Sequence, residues 1–101
     1  MEITRKEHEN TIILILVGRL NTTTAPKLEE AVMPELKSGK NVMLDFTGVS
    51  YVSSAGLRVL LVGEKTAKAN SVKQTLTNVG NSIMEVFEMT GFAAILYIKQ
   101  G

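Results

Sequence analysis

The 101 residues contain no cysteine, no tryptophan and a single histidine, His8. Without cysteine there are no disulfides and no thiolate metal sites. With one histidine and no thiol, zinc ligation is not expected. His8 sits in a polar N-terminal stretch and reads as a surface residue, so no Ser-His-acid triad can be assembled around it. No Gly-x-Gly-x-x-Gly run and no phosphate-binding lysine motif occurs. Charge of one sign is also scarce: 11 basic against 10 acidic residues leave a net +1, and the charges are mixed along the chain. The aromatics are three Phe and two Tyr, none interleaved with Lys or Arg, so the footprint of a nucleic-acid binder is missing. The longest apolar stretch, 12–17, is far too short to span a bilayer, and Met1 leads into Glu2, Arg5 and Lys6 rather than a leader-like apolar segment. These absences predict one cytoplasmic domain over residues 1–101, not an enzyme, with no metal, cofactor, nucleic acid or direct membrane contact.

What is present is a core and a clear alternation of elements. Hydrophobic residues make up 45% of the chain, enough to support a domain of this size without staples. Thr11-Ile12-Ile13-Leu14-Ile15-Leu16-Val17 is a β-favouring run that reads as a strand buried on both faces. A weaker strand over 2–8 precedes it, with Glu9-Asn10 as the hairpin turn, and Gly18 ends the run. Thr22-Thr23-Thr24-Ala25-Pro26 signals a helix start. Leu28, Ala31, Val32 and Leu36 follow at helical spacing, and Ser38-Gly39-Lys40 stops them. Residues 41–46 read as a strand, with Thr47-Gly48 opening a loop in which Asp45 caps a turn or orients the segment that follows. A helix is predicted over 54–69, and an amphipathic strand near an edge over 71–79. A further helix begins at Asn81-Ser82, with Ser82 and Glu85 spaced as a capping box. Ile83, Val86 and Phe87 form its inner stripe and Gly91 its C-terminal cap. A last short strand covers 93–98. Met33, Met43, Met84 and Met89 fall at core-like positions. The order ββαβαβαβ favours parallel pairing with right-handed crossovers, the first hairpin making the sheet mixed.

The helix from Ser54 carries the signal. At 100° per residue, Ala55, Gly56, Val59, Leu60, Val62, Gly63 and Ala67 fall on the side expected to face the sheet. Ser54, Leu57, Arg58, Leu61 and Lys65 fall on the other, so two leucines on a charged face suggest a docking strip. Ser54 reads as the helix N-cap, and a phosphate there would meet free first-turn amides and the positive end of the helix dipole.

At these residues the chain resembles the STAS-domain anti-sigma factor antagonists. The likeness runs through Gly18-Arg19-Leu20-Asn21, Thr24-Ala25, the segment Leu44-Asp45-Phe46-Thr47-Gly48-Val49-Ser50-Tyr51-Val52-Ser53-Ser54-Ala55-Gly56-Leu57, and Val86-Phe87-Glu88-Met89-Thr90-Gly91-Phe92. The resemblance implies an α/β fold with a STAS-type mixed sheet and helices packed mainly on one side. It also implies a partner-switching cycle. The unmodified protein binds an anti-sigma factor that is a serine/threonine kinase, the kinase phosphorylates Ser54 (Ser53 being the second choice), the complex separates, and a metal-dependent serine phosphatase resets it. Asn21, Thr22, Ser53, Leu57, Arg58, Leu61 and Lys65 are the partner-binding residues expected on this basis. Two positions depart from the family pattern: Ser53 and Asn21 stand where acidic residues are usual. A STAS domain that docks within a transport or stress-signalling complex, with no sigma-factor role, is the alternative.

Overall fold

The computed structural model describes residues 1–100. Strands β1 (Glu2–His8) and β2 (Thr11–Leu20) are followed by α1 (Ala25–Lys37), β3 (Asn41–Val52), α2 (Ser54–Ala69), β4 (Gln74–Thr77), α3 (Asn81–Thr90), a 3₁₀ turn (Phe92–Ala94) and β5 (Tyr97–Lys99). The hairpin joining β1 and β2 turns at Glu9, which holds a positive φ of 57°, and β1 pairs antiparallel with β2. Every later neighbour pairs parallel, and the strand order across the sheet equals the order along the chain. Each crossover therefore steps the same way. Right-handed connections stepping in one direction leave all three helices on one face.

That face holds the core. Ile12, Leu14, Leu16, Val42, Leu44, Phe46 and Leu76 are buried to 1% exposure or less and meet Leu28, Leu36, Leu60 and Phe87 from the helices. Ile13, Ile15 and Met43 alternate with them and are only partly buried. The run 11–17 is thus half-covered rather than enclosed on both sides, because no helix packs on the second face.

Several boundaries differ from the sequence expectation. β2 continues through Gly18, at φ 120°, to Leu20. β3 continues past Thr47-Gly48 to Val52, because the expected loop is absorbed as bulges. The β2–β3 register shifts between Ile15 and Val17 and again between Gly18 and Arg19, which adds twist to the end of the sheet that carries the site. Asp45 secures the first bulge: its Oδ1 accepts from the Thr47 N–H (3.0 Å), the Thr47 hydroxyl (2.6 Å) and the Asn78 amide (3.1 Å). β4 is only four residues long and lies inside the sheet, with β5 as the edge. The Ser82–Glu85 capping box does not form: α3 starts from Gly80 with no side-chain cap, and it ends as expected on left-handed Gly91. Met89 is not a core residue but 86% exposed.

Candidate functional site

The site is built where β2 and β3 end and α2 begins. Ser53 closes β3 in an extended conformation (φ −93°, ψ 175°), and its N–H donates to the Leu20 carbonyl at 2.9 Å, fastening it to the end of β2. Its hydroxyl accepts from the Gly56 N–H at 3.3 Å. Ser53 is therefore the N-cap. The expectation that Ser54 caps the helix is corrected by one position: either member of a Ser-Ser pair can cap, and the backbone pairing at Leu20 selects the first.

Ser54 is the first helical residue and is exposed. A helix start leaves its first amides without intrahelical acceptors. Ser53 takes the Gly56 amide through its side chain and the Leu57 amide through its carbonyl (2.9 Å), so the Ser54 and Ala55 amides remain at this end. Gly56 is required for the close approach of α2 to β2. A Cβ there would stand 2.7 Å from Leu20 Cγ and 3.0 Å from the Leu20 carbonyl oxygen.

The β2–α1 turn borders the site. Asn21 Oδ1 accepts from the amides of Thr23 (3.0 Å) and Thr24 (3.1 Å), an Asx turn of the kind that a short amide side chain makes on its own backbone. The Thr24 hydroxyl donates to the Arg19 carbonyl at 2.6 Å and accepts from the Asn21 N–H at 2.9 Å. Asn21 is thus committed to holding the turn. Thr22 is exposed. A groove of about 450 Å³ between α1 and α2 is lined by Thr22, Pro26, Glu29, Ala55, Arg58 and Val62, among others. At the ends of β2 and β3, Arg19 stacks its guanidinium 4.4 Å from the centre of the Tyr51 ring, a pair that sequence reasoning missed because the β2–β3 register that sets Arg19 opposite Tyr51 depends on the bulges.

The strip on α2 also changes. Leu57 is buried at 7% exposure and Leu61 is partly buried, so the pair of exposed leucines does not exist. Val62, expected inside, is 39% exposed, and the charged Glu64 is buried at 8%. The helix is rotated about its axis from the wheel assignment. Small residues (Ala55, Gly56, Gly63, Ala67) give the wheel little weight to fix its phase, and the buried side is an arc of Gly56, Leu57, Val59, Leu60, Gly63, Glu64 and Ala67. The exposed line is Ser54, Arg58, Val62 and Lys65, spaced to share one face of the helix.

Partial burial pushes the Asp45 carboxyl up, but the hydrogen bonds from Thr47 and Asn78 outweigh it and hold the carboxyl below its ordinary value. Asp45 is a turn-holding group. No group of three or more potential metal ligands is found among the described residues, and no helix among them is long and apolar enough to cross a membrane.

The family model described as the STAS domain matches residues 2–100. The anti-sigma-B factor antagonist of Listeria monocytogenes is 30% identical over 100 residues, covering 98% of this chain and 87% of that protein. Among solved structures, the Bacillus cell fate determinant SpoIIAA in its phosphorylated form superposes with a TM-score of 0.77 at 16% identity, over 99% of this chain and 91% of that one. The murine anion transporter Slc26a9 matches with a TM-score of 0.75 at 18% identity, over 92% of this chain and 16% of the transporter. At such identities the structural likenesses establish the fold alone.

Proposed function

The chain belongs to the STAS domain family, and from that premise we propose that it is an anti-sigma factor antagonist switched by phosphorylation of Ser54. Unmodified, it binds an anti-sigma factor that is also a serine/threonine kinase and so releases a sigma factor for transcription. In the complex the Ser54 hydroxyl attacks the γ-phosphorus of ATP, the bond to the bridging oxygen breaks, and ADP leaves. A metal-dependent serine phosphatase returns the hydroxyl by hydrolysis.

The observation that carries this reading is the division of work between adjacent serines. Ser53 spends its hydroxyl on the cap, whereas Ser54 is exposed with its hydroxyl uncommitted, one position into α2. A phosphate on Ser54 adds about 1.5 to 2 negative charges and meets the remaining first-turn amides and the helix dipole. It stands one turn from Arg58, on the line that continues to Val62 and Lys65. A partner seated on that line loses a neutral hydroxyl at Ser54 and faces a phosphate whose charge opposes that of Arg58 and Lys65. Thr22, Arg58, Val62 and Lys65 form the contact in this reading. Leu61 contributes its exposed edge, and Asn21 and Leu57 contribute by holding the turn and the helix in place.

The test is incubation with the cognate kinase and ATP, read by intact mass. One phosphate is expected on the native chain and on Ser53→Ala, and none on Ser54→Ala. Modification that survives Ser54→Ala and disappears in Ser53→Ala would reverse the assignment. Tight binding of Ser54→Asp to the kinase, equal to that of the native chain, would refute release by charge.

A further inference from the structure

At the far end of α2 lies a second groove, of about 390 Å³, between the last turns of α2, β4 and the start of β5. It is in the size range of small-ligand clefts, roughly 300–1,000 Å³. Its walls are chemically uneven. Val72, Ile95, Leu96 and Tyr97 supply an apolar side, and Ile95 and Tyr97 are 46% and 44% exposed, two of the largest uncovered apolar groups in the domain. Glu64 supplies a carboxylate whose side chain is only 10% exposed. Its Oε1 is buried and accepts no hydrogen bond, and its Oε2 reaches the Lys68 ammonium only at 4.0 Å, the outer limit of an ion pair. Lys68 is largely exposed. Lys73, also on the wall, holds its ammonium 5.0 Å from the centre of the Tyr97 ring.

A buried carboxylate oxygen without a donor is costly, and a charged donor recovers the most. Rotation about the terminal torsion of a glutamate is soft and two-fold and exchanges its two oxygens, so a donor in the groove meets one of them, and the charge shared over both gains that donor. A simple cation would gain Glu64 but meet two ammonium groups. A simple anion would gain the lysines but meet Glu64. A molecule carrying both charges close together, with an apolar body, satisfies all three and covers Ile95 and Tyr97. We propose that this groove binds a free hydrophobic α-amino acid, its ammonium on Glu64, its carboxylate on Lys68 and Lys73, and its side chain against Val72, Ile95 and Tyr97. The site lies on a different stretch of α2 from Ser54 and stands independently of the phosphorylation reading.

The test is a titration of isotope-labelled protein with L-phenylalanine, followed by amide NMR shifts. No kinase is needed, so its outcome is separate from that of the switch. Saturable shifts confined to the amides around the groove, Glu64, Lys68, Val72, Lys73, Ile95 and Tyr97, are expected. Removing either charge of the probe, as N-acetyl-L-phenylalanine or as phenethylamine, should weaken binding about tenfold, the loss expected for one charge-assisted bond. Glu64→Gln, which keeps the shape of the side chain, and Lys68→Ala, on an exposed position, should each weaken L-phenylalanine similarly. The proposal is overturned by the absence of saturable shifts at millimolar L-phenylalanine, by equal binding of phenethylamine, or by shifts that persist unchanged in Glu64→Gln.

Discussion

Gly63→Ala is the sharpest probe of how α2 sits on the sheet. In an isolated helix the change is favourable by about 1 kcal/mol. Here the added Cβ would fall 1.9 Å from Gln74 Oε1 and 2.8 Å from its amide carbon. Gln74 is 1% exposed and holds α2 by donating its side-chain amide to the Leu60 carbonyl at 3.0 Å. Displacing it strands a buried amide, at about 1–3 kcal/mol, and overfills a packed contact, at about 1–3 kcal/mol. The expected net loss is about 2–4 kcal/mol, a large share of the 5–15 kcal/mol typical of a domain. With a urea dependence of roughly 1–3 kcal/mol per molar, the unfolding midpoint should drop by about 1–2 M. The decisive assay repeats the change in a Gln74→Ala background, as a double-mutant cycle. There the obstacle is gone, and Gly63→Ala should be neutral or stabilising by up to about 1 kcal/mol. A stabilising effect in the native background, or an undiminished loss without Gln74, would refute the reasoning.

Four further outcomes follow from the site and the core. Ser53→Ala should cost about 1 kcal/mol in urea unfolding through loss of the cap, whereas Ser54→Ala should stay within about 0.5 kcal/mol. Leu57→Ala should cost about 2–5 kcal/mol as a core truncation; a surface-like effect under 0.5 kcal/mol would restore the exposed strip. Val62→Asp should leave the unfolding midpoint near the native one but weaken kinase binding in calorimetry by tenfold or more, about 1.4 kcal/mol. The lowered carboxyl of Asp45 contributes stability that is fully present above the ordinary aspartate range, near about 3.9, and is lost as pH falls through its depressed folded value. Asp45→Asn should therefore flatten the acid side of a stability–pH curve, and an unchanged acid limb would refute this.

Element types were legible wherever hydrophobic period and stop signals agreed. The apolar run 11–17, the Pro26 helix start and Gly91 are examples, and they sufficed for the strand and helix order. That the helices cover one side of the sheet came from the family resemblance, since the run 11–17 by itself reads as buried on both faces. Thr47-Gly48 misled because a turn-like pair can be absorbed into a strand when a neighbouring carboxylate holds the bulge, as Asp45 does. The helix over 54–69 was legible in extent, but its rotation was not. Leu57 and Val62 exchanged sides because what fixes the phase is Gly56 against Leu20 and Gly63 against Gln74, contacts between residues that no local pattern links. The capping serine was off by one for the same reason: only the hydrogen bond to Leu20 distinguishes Ser53 from Ser54.

That separation of cap and acceptor has a consequence for the amount of protein in a cell. The hydroxyl that would carry the phosphate is not one that holds α2 together, so modification removes no contact of the fold. A phosphate at an exposed helix start gains about 0.3–1 kcal/mol from the dipole, so the modified form should unfold no more readily than the unmodified one. Degradation that follows the unfolded population would then spare the modified form at least as well. Turning the switch would alter which partner is held without depleting the protein.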